Sequence, residues 1–349
     1  MAQAEGLQNS GFALYGKQDL RPYSWTLPAL EPRGVLLRVL ACGVCGSDQR
    51  QYFHGPSPRY VLPAVLGHEI VGRVEEVGPA VEGFQPGDLA AVAPIIPCMN
   101  CPACWRGHDN LCERSLVVGV NSPGGMAEYF YVPAQLTAVG GLARVPQNVT
   151  PEAAALTENL ACCWHGLGRT RVGPGDDVLL IGEGPIGATF IQLLRLRGVS
   201  RITVTGLDPF RLDLASQLGA DVAVNVGEIA LADYARQQEY HPDLAIVAAP
   251  TVDDTATALE IVRPGGELLL FSGYPFGAST ALDLYKFHYA EKHIHGSIDA
   301  TIADFQKAMA LQSQIHMNQL VTHRFPLGDV VEAFQTARKH GVMKVIVEP

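Results

Sequence analysis

Over the first 155 or so residues the apolar positions fall in short runs, VLLRVLA, EIVGRVEEVG, DLAAVAP and AEYFYVP, with Gly and Pro between them at close intervals. Runs of this length bounded by turn residues predict strands, and their irregular spacing predicts a β-rich domain. From about Asp177 the pattern changes. Strand-like runs (DVLLIG, RITVTG, DVAVNV, LAIVAA, ELLLFSG) now alternate with segments of helical period, PIGATFIQLLRLRG, PFRLDLASQLG and VDDTATALEIVR. Such alternation predicts βαβ units around a parallel sheet. Beyond about Lys292 the spacing predicts helices in TIADFQKAMALQSQ and DVVEAFQTARKHG and a final strand in KVIVEP. The expectation is an α/β protein divided into segments 1–155, 156–292 and 293–349.

Composition narrows the function classes. A chain of 349 residues that is 48% hydrophobic and 17% charged is globular and long enough for two cores. Its formal charge of −10 opposes non-specific affinity for nucleic acid or anionic membranes. No apolar run approaches a spanning helix, and MAQAEGLQNSG lacks the features of a signal peptide, so a cytoplasmic protein is expected. In that reducing setting the eight cysteines are expected to be metal ligands or packed thiols.

The segment Gly182-Glu183-Gly184-Pro185-Ile186-Gly187 follows the strand DVLLI and opens a helix. In that context G-x-G-x-x-G is a dinucleotide fingerprint. Gly182 makes the turn, Gly184 lets backbone approach a pyrophosphate, and Gly187 lets helix and strand pack. Pro185 and Ile186 begin the helix whose N–H groups face the phosphate. An acidic residue is expected at the end of the second strand, here read as RITVTGLD. Asp208 there would hold both ribose hydroxyls and repel a 2′-phosphate, whereas Arg211 would attract that phosphate. Asp208 is also well placed as a helix N-cap before Pro209. NAD is expected over NADP.

Cys98-x2-Cys101-x2-Cys104-x7-Cys112 places four thiols within a Pro- and Gly-containing stretch, enough to close a tetrahedral zinc site without a hydrophobic core. A ferredoxin cluster would need its fourth cysteine where His108 stands, so a structural zinc is favoured. A second group, Cys45, His68-Glu69 and Glu158, meets the requirement of a catalytic zinc for mixed ligands and an open position. By spacing alone Cys42 and Cys45 remain ambiguous: a redox pair, two zinc ligands, or one ligand beside a packed thiol.

Taken together, Cys45-Gly46-Ser47-Asp48, GHEIVGRVEEVGPAV from Gly67, the four-cysteine lobe, the glycine-rich turn and TENLA around Glu158 resemble the zinc-containing medium-chain alcohol dehydrogenases. The likeness is greatest to their polyol, sugar and threonine dehydrogenase branch and spans essentially the whole chain. It implies a GroES-like β-rich catalytic domain completed by the carboxy-terminal segment, with a doubly wound Rossmann coenzyme domain between. It further implies two zinc ions per chain. The catalytic one would lie on Cys45, His68 and an acidic ligand, Glu69 or Glu158, with Ser47 beside the reacting oxygen. Cys42 is then a packed thiol. The substrate is expected to be a small alcohol or carbonyl compound, and the assembly a homodimer or homotetramer through the Rossmann sheet edge. Side chains such as Tyr52, Phe53, Leu116 and Phe287 are expected to build the substrate pocket.

Three departures from the family pattern stand out. Arg50 occupies the place of a relay histidine, which leaves His54, ribose hydroxyls or water for proton transfer and opens a role for Arg50 in reading an anionic substrate. Gly206 stands where the family's ribose-binding acid most often falls. Asn159 follows Glu158 where Pro is common. Rival readings are an NADP-dependent alcohol or aldehyde reductase, and a non-catalytic zinc and nucleotide-binding protein on the same scaffold. The second should have lost one of Cys45, His68 or Glu158, and all three are present.

Overall fold

The computed structural model describes residues 6–349. They form two compact units, one running through Ala161 and resuming at Ala300–Pro349, the other spanning Cys162–Asp299. The expected boundaries near 155 and 292 therefore move to 161 and 299. The second shift has a plain cause. His293–Gly296 pairs in parallel with Glu267–Leu270 as the last strand of the central sheet of the 162–299 unit.

In the first unit, Val35–Gly43 is the hub. It pairs antiparallel with Glu69–Val77, Tyr129–Val132 and the carboxy-terminal strand Lys344–Glu348. Leu89–Val92 and Leu142–Arg144 extend the sheet on the far side of Glu69–Val77. A separate antiparallel hairpin, Gln8–Gly16 with Asp19–Thr26, was not anticipated from sequence. Most valines, isoleucines and leucines on these strands, Val35, Leu37, Val39, Ile70, Val71 and Val74 among them, are almost wholly buried. Burying such side chains is worth about 1.5–3 kcal/mol each. The polar segments between them are thereby fixed in space. Ile95–Ile96 pairs with Leu116–Val117, and this two-residue clamp closes the loop that carries the four clustered cysteines.

The second unit has six parallel strands, with Asp177–Ile181 central. Arg201–Gly206 and Val222–Asn225 lie to one side, and Leu244–Val247, Glu267–Leu270 and His293–Gly296 to the other. This is the doubly wound order, in which the direction of winding reverses beside the first strand. Asp177–Ile181 reads as an unbroken apolar run because both its faces are covered. Leu179 and Ile181 pack with Leu231, Ala235, Ala258 and Val262. Leu180 lies near Gly187 at the start of helix Pro185–Leu196. One expectation needs correction. The second strand stops at Gly206, and Asp208 lies beyond it as the N-cap of helix Pro209–Gln217. Pro209 cannot donate to a strand ladder but suits the first turn of a helix.

Candidate active site

The polar centre of the first unit is assembled from four segments that the sheet brings together. Gly43 ends the hub strand opposite Glu69, and Cys45 caps helix Gly46–His54. His68 precedes Glu69, Glu158 and Asn159 open helix Thr157–Leu167, and Lys344 begins the last strand. One donor atom from each of Cys45, His68 and Glu69 lies within 4.8 Å of the other two. The glycine at 43 is explained by this centre: a Cβ there would meet Glu69 Oε2 at 1.8 Å.

Glu69 is fully buried. Its Oε1 accepts from Lys344 Nζ at 2.6 Å and from Asn159 Nδ2 at 3.0 Å. Its Oε2 is buried and receives no hydrogen bond from the protein. A buried carboxylate oxygen without a donor is costly unless a cation faces it. With a thiol and an imidazole in the same cluster, the residues fit a zinc ion with mixed ligands. Asp48, also buried, places Oδ1 3.5 Å from His68 Nδ1. With the Nδ1 proton directed to that carboxylate, Nε2 is left with its lone pair for a metal. Burial opposes charge on His68, but the Asp48 carboxylate and the Cys45 sulfur outweigh it and raise its pKa well above the ordinary value, so a metal binding at Nε2 would have to displace a proton. Burial likewise opposes charge on Lys344, and the Glu69 carboxylate reverses this and raises its pKa.

Glu158 joins the centre through its neighbour. Asn159 Nδ2 lies 3.0 Å from Glu158 Oε2 as well as from Glu69 Oε1, so one amide spans both carboxylates. Glu158 lies outside the tight donor cluster. Ser47 Oγ stands 3.4 Å from His68 Nε2. Tyr60 also lies within the field of Asp48, His68 and Cys45, and burial first, then the Asp48 charge, pushes its phenol up to about 12. Cys42 is fully buried, and a Cβ on Gly67 would meet its sulfur at 2.4 Å. Burial raises its thiol pKa far above the ordinary value, which leaves it inert. Arg50 and His54 are exposed on helix Gly46–His54. Asp48 lies in the Cys45-Gly46-Ser47-Asp48 motif without a role read for it, whereas no local motif marks Lys344 or Tyr60.

In the lobe, Cys98, Cys101, Cys104 and Cys112 bring four sulfurs within 4.8 Å of one another, and the 101–104 and 101–112 pairs lie 3.5 and 4.0 Å apart. Sulfurs at zinc-ligand distance in a tetrahedron are about 3.8 Å apart, so the four thiols fit a structural ion. The Cys104 N–H lowers the Cys101 thiol to about 6, whereas burial pushes Cys104 up to about 12.

In the 162–299 unit the glycine-rich turn has the expected geometry. Gly182 has φ +114°, a conformation that excludes side chains, and a Cβ on Gly187 would strike the Gly182 carbonyl at 2.0 Å. Gly184, the N-cap of helix Pro185–Leu196, faces open space, which leaves room for a ligand. Asp208 is buried. Its Oδ1 accepts from Phe210 N at 3.0 Å, and its Oδ2 lies 3.8 Å from Arg211 Nε.

Known proteins resemble this chain over almost its whole length. Residues 31–141 match the family described as Alcohol dehydrogenase GroES-like domain, and residues 185–314 match Zinc-binding dehydrogenase. Sorbitol dehydrogenase of Rattus norvegicus is 31% identical over 99% of this chain and 97% of its own length. L-threonine 3-dehydrogenase of Marinomonas sp. (strain MWYL1) is 30% identical over 90% and 92%. A zinc-binding dehydrogenase from Sinorhizobium meliloti 1021, solved bound to NADP, superposes with a TM-score of 0.91 at 26% identity, covering 98% of this chain and 99% of that one.

Proposed function

The chain belongs to the zinc-containing medium-chain alcohol dehydrogenases, in their polyol and threonine dehydrogenase branch, and from that premise we propose how its own residues carry out hydride transfer between a secondary alcohol and a nicotinamide cofactor. The observation that carries the reading is the Cys45–His68–Glu69 cluster, with its buried carboxylate oxygen turned toward a thiol and an imidazole. Cys45, His68 and Glu69 would hold a catalytic zinc, with Glu158 poised through Asn159 to share the acidic position. Zinc bound there supplies a Lewis acid that lowers the pKa of the reacting hydroxyl.

The remaining steps fall to the protein. Asp48 fixes the His68 ring and its tautomer. Lys344 offsets the Glu69 charge, so the centre does not accumulate unpaired carboxylates. Ser47 Oγ, beside His68 Nε2, takes the hydroxyl proton as it passes its own outward. Arg50 and His54 are exposed, so this relay ends in water rather than in a histidine. The turn Gly182–Gly187 and helix Pro185–Leu196 bind the pyrophosphate of the cofactor. The cofactor is NAD in preference to NADP, because the Glu183 carboxylate stands at the end of the second strand, accepting from the N–H groups of Leu207 and Asp208.

Two finer features complete the reading. The protein carries two zinc ions, the second closed inside the four-cysteine lobe. It also assembles as a homo-oligomer. The edge strand His293–Gly296 follows a segment exposing Leu284, Tyr285 and Tyr289, an apolar edge that a second copy would cover. No disulfide joins any of the eight cysteines, in keeping with a reducing compartment such as the cytoplasm.

Metal analysis together with a turnover screen tests the assignment. Polyols, sugars and their phosphates are offered with NAD⁺ and NADP⁺ in parallel. About two zinc ions per chain and turnover of at least one secondary alcohol are expected. A single zinc per chain with no turnover of any alcohol would reduce the protein to a structural zinc scaffold.

A further inference from the structure

Gly206 poses a specific problem. Dinucleotide sites that choose NAD place an acid at the end of the second strand, where it meets the adenosine ribose. Here that strand ends on a residue with no side chain. Gly206 is not one of the glycines with positive φ, so its backbone would accept any residue. What excludes a side chain is Glu183. A Cβ built on Gly206 would meet Glu183 Cδ at 2.2 Å and Oε2 at 2.4 Å.

Glu183 projects from the glycine-rich turn and is held in place over the strand end. Its Oε1 accepts from the N–H of Leu207 at 3.0 Å and from that of Asp208 at 3.1 Å. Its other oxygen occupies the space beside Gly206. Val226 donates its N–H to the Gly206 carbonyl at 2.9 Å and also lines a neighbouring cavity of ≈ 400 Å³. Asp208, the acid first expected to contact the ribose, is buried and engaged with Phe210 N and Arg211.

We infer that Glu183, reaching across from the turn to the place left open by Gly206, is the acidic group that selects NAD over NADP. The inference rests on the dinucleotide-binding reading given above. Anchored through Oε1, the carboxylate presents Oε2 to accept from a ribose hydroxyl. The same fixed charge repels a 2′-phosphate, so discrimination comes from an attractive and a repulsive term together. Arg211, 3.8 Å from Asp208 Oδ2, is a cation toward which a 2′-phosphate would be drawn once that repulsion is removed.

Fluorescence titration of the zinc-loaded protein with NADH and with NADPH gives both dissociation constants without relying on turnover. Wild type should bind NADH more tightly. Glu183→Gln keeps an acceptor for the two N–H groups but loses the charge, and should move the NADPH:NADH affinity ratio by about tenfold or more toward NADPH. Asp208→Asn should leave the ratio within about twofold, since its carboxylate is spent on the helix start. Returning the acid to the strand end, in Glu183→Ala with Gly206→Asp, should restore the NADH preference, whereas Glu183→Ala with Gly206→Asn should not. That pair shows that a charge at the strand end is sufficient for the preference, and Glu183→Gln shows whether the charge of Glu183 supplies it. Measurable binding with an unchanged ratio in Glu183→Gln, or a shift only in Asp208→Asn, would overturn the inference while leaving the dinucleotide site intact. Wild type that binds neither dinucleotide overturns the reading beneath it, and the inference with it.

Discussion

The first unit holds two clusters of metal-ligating side chains built on opposite plans. The lobe draws four thiols from one short stretch, Cys98 to Cys112, and needs only a turn, a four-residue helix and a two-residue clamp to gather them. The second centre draws Cys45, His68 and Glu69, with Asn159, Glu158 and Lys344, from segments separated by most of the chain. In the lobe the metal would organise the protein. At the second centre the sheet has organised the ligands, pairing Glu69 with Lys344 and His68 with Asp48. A closed set of four sulfurs leaves no position for a substrate, whereas the mixed set does.

The difference is sharpest under paired substitution. Cys45→Ser should lower turnover by about 10³-fold or more while the lobe keeps its zinc. Cys104→Ser should instead lose the lobe zinc and lower the unfolding midpoint by about 5–10 °C, with turnover of the folded protein little changed. Metal content, calorimetry and kinetics on both variants check this. Equal losses of activity would erase the distinction between the two sites.

Next in size is the buried pair of Lys344 and Glu69. Lys344→Met leaves a buried carboxylate without its cation and should cost about 3–5 kcal/mol by denaturant titration. The cost should be larger in zinc-free protein, because the metal also compensates Glu69, and Glu69→Gln added to it should recover most of the loss. A cost under about 1 kcal/mol in the zinc-free form would mean that the pair is solvated.

Asp48→Asn tests the orientation of His68. It should weaken binding at the catalytic position by about 10- to 100-fold in competition with a chelator, leaving the lobe unaffected. A change confined to the lobe metal would contradict the contact between Asp48 and His68.

The smallest effect belongs to Arg50. Because it is exposed, Arg50→Ala should change kcat/KM for neutral polyols by less than about twofold. A selective rise in KM for phosphorylated or carboxylated substrates would instead give Arg50 the anion-reading role that its place in the sequence suggested.

What could be read beforehand follows from how local each feature is. The runs DVLLI and RITVTG, the helix after Pro185 and the lobe cysteines were legible because each depends on neighbours within one turn or one strand. Asn159 had been noticed as unusual without a role, and only the approach of Glu69 to Glu158 gave it one. The second strand was read two residues too long, because Leu207 and Asp208 continue its pattern until Pro209 forces a helix start.

The sequence by itself determined the two-unit α/β plan, the four-sulfur lobe and the glycine-rich turn, since composition, period and short spacing are properties of neighbouring residues; Cys45, His68, Glu69 and Glu158, far apart in the chain, were candidate ligands only through the family resemblance. Tertiary structure alone decided which carboxylate stands with the thiol and imidazole, what balances it, and why Gly43 and Gly206 are glycines. Lys344 reaches Glu69 because the final strand pairs with Val35–Gly43, and Glu183 reaches Gly206 because two parallel strands end side by side. Charge compensation and close approach are settled by distances through space, and a chain folded across itself makes those distances independent of position along it.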